Sequence, residues 1–174
     1  MQGRQRARDV FDTARLWSVA LLVVGGSLAM AGSALDWVDI VVQPEIQSDI
    51  DFGANQPEVQ EPEVSRPFTG LEAGDGWFVM GAGAIMVVSA ALLWITRSGR
   101  FAWLGFLTAV VIGAIAFTDY RGVGDFTSSI SQRMNLVGKV VPALGLTLVA
   151  AAALIGLVGS VVGIAATPRQ DAEQ

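Results

Sequence analysis

The sequence predicts an all-α integral membrane protein: a four-helix bundle with a long acidic external loop between helices 1 and 2. Three observations predict it. Four apolar stretches, Leu16–Leu35, Trp77–Thr96, Phe101–Thr118 and Val140–Ala166, contain no charged residue. At about 1.5 Å per residue, roughly 20 apolar residues in a helix cross the hydrocarbon core of a bilayer. The chain is 52% hydrophobic and only 16% charged, whereas a soluble domain is about 25% charged. The charges are also segregated. Arg4, Arg6, Arg8 and Arg15 precede span one, Arg97 and Arg100 lie between spans two and three, and Arg169 follows span four. Basic residues stay on the cytoplasmic side, which places both termini there. Seven basic and four acidic residues then lie inside, against four basic and twelve acidic residues outside.

These patterns divide the chain into a cytoplasmic basic segment (1–15), a transmembrane domain (16–166) and a cytoplasmic tail (167–174). The external loops are 36–76 and 119–139. Val10, Phe11, Ala14 and Leu16 suit either a short amphipathic helix on the inner leaflet or a frayed start to span one. An Arg-rich start followed by Leu16–Leu28 and Ala29-Met30-Ala31 also suits a secretory leader. The run continues to Leu35, long enough to span, so a retained first helix is expected. Trp17 and Trp37 are placed at the inner and outer interfaces. Trp37–Val42 is β-branched and partly alternating, which suits a short strand ended by Pro44.

Residues 43–69 read as an extended, solvated acidic loop, in which Pro57-Glu58-Val59 recurs as Pro62-Glu63-Val64. Its carboxylates lack the spacing of a calcium loop. Gly74-Asp75-Gly76-Trp77 opens span two. Asp75 suits a helix N-cap and Trp77 an interfacial anchor. The link Arg97–Arg100 is short enough to force an antiparallel hairpin of spans two and three. Span three is expected to close at Thr118-Asp119-Tyr120-Arg121, with Arg121 pairing Asp119 or Asp75 and Phe126–Met134 a surface helix. Pro142 is assigned to the first turn of span four, where its missing N–H costs little. Lys139 is expected to snorkel just outside it.

Small residues predict the helix contacts. Gly105, Ala109 and Gly113 recur in span three, Ala152, Gly156 and Ser160 in span four beside Gly159 and Gly163, and Gly25, Ala29 and Ser33 in span one. Four-residue steps of this kind let helix backbones approach closely in lipid.

The chemistry of the chain is mainly negative. With no cysteine and no histidine, disulfides, Cys or His zinc sites and thiol or imidazole catalysis are excluded. The spans offer Ser18, Ser27, Ser33, Ser89, Thr108, Thr147 and Ser160, but no base beside them. Their hydroxyls are expected to bond to helix carbonyls. No cofactor, metal or nucleic acid is expected, and no enzymatic activity.

Leu35-Asp36-Trp37, Gly74-Asp75-Gly76-Trp77, Asp119-Tyr120 and the Gly-rich run from Gly138 occur in an order that resembles a loose group of small bacterial four-span membrane proteins. The resemblance covers most of residues 16–166. It implies a four-helix fold in the bacterial cytoplasmic membrane and no particular activity. The loop order is also similar to that of claudin-like proteins, but their paired loop cysteines are missing, so nothing is carried over from them. The resulting expectation is an accessory, scaffold or assembly subunit that contacts lipid and other membrane-protein subunits. The alternative is a transport or channel component formed by oligomerisation.

Overall fold

The computed structural model describes residues 2–43, 64–134 and 137–167. In chain order these form α1 (Gln2–Ala34), β1 (Asp36–Gln43), β2 (Val64–Thr69), the single-turn α2 (Gly70–Ala73), α3 (Gly76–Thr96), α4 (Arg100–Met134), β3 (Val137–Pro142) and α5 (Leu144–Ala165). Segments of α1, α3, α4 and α5 are each long and apolar enough to cross a membrane. The chain is a four-helix membrane bundle, as its apolar runs predict, with a small antiparallel sheet at the end opposite the termini.

The helices pack in a closed ring, α1 against α3, α3 against α4, α4 against α5 and α5 against α1. Leu22, Met86, Leu93, Ile112, Leu146, Val79 and Val149 fill the centre, with Ala29, Ala90, Ala109 and Ala152 between them. Lipid tails are as apolar as these side chains, so close packing rather than water exclusion holds the ring together. Glycine makes that packing possible. A Cβ on Gly26 would meet the Gly83 carbonyl oxygen at 2.6 Å, and one on Gly83 would meet the Gly26 oxygen at 2.7 Å. There α1 and α3 touch backbone to backbone.

The sheet has the order β2-β1-β3. β1 pairs antiparallel with β2 (Val42 opposite Val64) and with β3 (Val42 opposite Gly138). The alternation in Trp37–Val42 therefore does mark a strand. β2 lies inside the stretch expected to be extended and solvated. Its Pro67 is tolerated because β2 is an edge strand with one side free of ladder bonds. The Pro-Glu-Val repeat at 57–59 lies outside the described residues, and its second copy reaches them only at Val64.

Three helix boundaries differ from expectation. α1 begins at Gln2 and not at Leu16, so the basic segment continues the first span as one helix. α4 does not stop at Thr118 but runs unbroken to Met134, taking in the separate surface helix expected at 126–134. Span four does not begin at Val140, and Pro142 is not in its first turn. Pro142 ends β3, and α5 begins at Leu144. A proline disfavours helical backbone at the residue before it, and Val140-Val141 is β-branched, so the chain stays extended until the proline has passed. Lys139 accordingly belongs to a strand.

Candidate functional site

The sheet joins the bundle through Trp37. Between Asp36 and Val38 the β1 register slips against β2, leaving Trp37 as the extra residue of a bulge. A bulge re-aims a side chain, and here the indole turns inward. Trp37 is 2% exposed, and its Nε1–H donates to the Gly32 carbonyl oxygen at 2.8 Å. That oxygen lies in the last turn of α1, where helical partners run out. The Trp37 carbonyl accepts from the Ala143 N–H at 2.9 Å, and the Leu35 carbonyl from the Gly70 N–H at 3.2 Å. Gly70 lies flat on the indole, with no room for a side chain. Trp37 is therefore a buried joint between α1, the sheet and α2. Trp77 does face outward, at 64% exposure.

Asp75 stands at the N-cap position of α3, but its side chain makes no capping hydrogen bond. Its backbone is already helical, with φ −74° and ψ −22°, so the carboxylate is not turned back towards the first free amides. The capping box lies one turn earlier. Thr69 accepts from the Glu72 N–H, and Glu72 accepts from the Thr69 N–H. Gly74, at φ 94°, then makes the left-handed bend into α3.

Among the described residues no ion pair joins Arg121 to Asp119 or Asp75. With α4 continuous, residues 119 and 121 point in different directions. The Arg121 guanidinium lies over the Phe117 ring, one helical turn back, at 5.1 Å from its centroid. The Asp119 Oδ2 is instead enclosed without a hydrogen-bond partner. No three Asp or Glu residues converge on a metal-sized space among the described residues.

Inside the bundle the predicted small residues sit at contacts. A Cβ on Gly105 would meet Leu22 at 2.9 Å and the Ser160 hydroxyl at 3.1 Å. One on Gly156 would meet the Met86 side chain at 2.7 Å, one on Gly159 would meet Leu21 at 2.8 Å, and one on Gly163 would collide with the Ser18 hydroxyl. Gly113 is looser, with only Ala153 at 3.5 Å. The contact pairs Gly26–Gly83 and Gly32–Gly145 lie outside the four-residue series that drew attention in the sequence.

The buried hydroxyls bond to backbone. Ser18 donates across the bundle to Gly159 O at 2.7 Å, while Ser89, Thr108 and Ser160 donate within their own helices. Such hydroxyls steady helix contacts. The fold and this interior define a multi-pass membrane protein whose helices contact the lipid bilayer. The chain matches no protein-family model, no curated protein and no solved structure.

Proposed function

We propose that the chain is a non-enzymatic accessory, scaffold or assembly subunit of a larger complex in the bacterial cytoplasmic membrane. In this reading both termini are cytoplasmic, and the sheet with its acidic connecting segment faces outward to meet the partner. One observation carries it. The interior is filled by side chains, and its buried serines and Thr108 donate to backbone carbonyls. That interior supports a body that acts through its surface. Purification of the full chain in mild detergent tests the reading. A stoichiometric heteromeric membrane partner is expected. A ring of identical chains and no other subunit would overturn it in favour of a channel or transport component.

A further inference from the structure

On the lipid-facing side of the bundle, α1 and α3 run side by side towards the end that bears the termini. They leave an open groove of about 400 Å³. Leu16, Ala20 and Val23 line one wall, and Val87, Ala91 and Trp94 the other. From Leu16 to Val23 the wall is about 10 Å long. The two alanines leave the space that larger side chains would fill.

One charged residue stands at the mouth. The Arg15 side chain is only 16% exposed, and its guanidinium carbon lies 5.9 Å from the centre of the Trp94 ring. Its Nη2 donates to Asp12 Oδ1 at 3.0 Å, while its Nε is enclosed with no hydrogen-bond partner. Asp12 thus takes Nη2 and Nε is closed off, so Nη1 is the donor left open to a ligand. Exposed Arg97, three residues beyond Trp94, adds a second positive charge at this end of α3.

We propose that this groove seats one acyl chain of an anionic phospholipid from the leaflet on the side of the termini, with the lipid phosphate on Arg15. Water does not suit the slot, because a bound water needs two to four polar partners and the walls are apolar. A zwitterionic lipid fills the slot but carries its own ammonium beside the phosphate. An anionic headgroup supplies acceptors and uncompensated charge together, and guanidinium is the side chain best matched to phosphate oxygens. The inference rests on the membrane-spanning fold and is independent of the proposed contact role.

The test uses the purified full chain in bilayer nanodiscs with spin-labelled phosphatidylglycerol or phosphatidylcholine, reading the motionally restricted fraction of each. The expected result is a preference of about fivefold for phosphatidylglycerol, equivalent to about 1 kcal/mol for one basic side chain at the surface. Arg15→Gln should remove the preference, and Ala91→Phe, which fills the groove, should lower the restricted fraction. Ala20→Phe fills it from the other wall if Ala91→Phe does not fold. Equal restriction of both lipids by the unaltered chain overturns the proposal. So does a preference that survives Arg15→Gln, or a restricted fraction unchanged by a folded groove-filling variant.

Discussion

Trp37 shows how one side chain can tie together parts of the chain that are far apart in sequence. Its indole fills the space under Gly70, and its N–H donates to the Gly32 carbonyl, which also accepts from the Leu35 N–H at 3.3 Å. Trp37→Phe keeps most of the volume and loses the hydrogen bond, so a loss of about 1 kcal/mol is expected. Trp37→Ala should cost about 3–5 kcal/mol through the cavity it leaves. Melting in detergent, followed by near-ultraviolet circular dichroism, should rank wild type, Phe and Ala in that order. Equal melting of the Ala variant and wild type would remove Trp37 from the joint. The capping residues give a second comparison. Thr69→Ala should cost about 0.5–2 kcal/mol, whereas Asp75→Ala should leave the melting temperature unchanged, because the Asp75 side chain makes no capping hydrogen bond. A clear loss of stability in the Asp75 variant would restore it as the cap. The sequence marks Asp75 as a cap because Asp lies between glycines before an apolar run. It does not show that Gly74 bends the chain so that Asp75 enters the helix with helical backbone. Burial of Trp37 is equally hidden, since a bulge depends on the pairing partner and not on the strand's own residues.

At the scale of elements, the glycines differ in what they tolerate. Gly83→Val should separate α1 from α3, because the added carbon lands on the Gly26 carbonyl backbone, which has no side-chain freedom to yield. Gly113→Ala meets only Ala153, at ordinary contact distance, and alanine favours helix over glycine by about 1 kcal/mol. The first variant should melt well below wild type in detergent and the second at or above it. The reverse order would contradict the packing described. The four apolar runs were legible because hydropathy alone decides what crosses lipid. Helix ends beyond the bilayer were less so. Nothing at Thr118-Asp119-Tyr120 forbids a helix, and α4 continues through it. The start of α5 was misplaced because Pro142 suits both a first helical turn and the end of a strand. The pairing of β3 with β1, distant in sequence, decides between them.

For the whole molecule, the outstanding property is direction across the membrane. The distribution of arginine predicts that the α3–α4 link is cytoplasmic and that the sheet is outside. Single cysteines at Ser65 in β2 and Ser98 in the link test it against a background with no native thiol. On intact cells an impermeant maleimide should label Ser65→Cys and spare Ser98→Cys, and lysis should expose both. Labelling of Ser98→Cys alone before lysis would invert the protein. Charge supplies the expectation of direction, whereas no comparable pattern marks the groove at Arg15. Its lining comes from two helices whose spacing is set by the Gly26–Gly83 contact further along.

β1 is the middle strand of its sheet, yet its two neighbours leave the ribosome at very different times. β2 follows after a short interval, but β3 begins about 90 residues after β1 ends. At a synthesis rate of roughly 5–20 residues per second, one edge of β1 waits about 5–20 s for its partner. Over that interval Val38, Ile40 and Val42 belong to a strand with one edge unpaired, the kind of edge that recruits other chains. The nascent protein is therefore most open to mispairing, or to a chaperone, after β2 has formed and before β3 arrives.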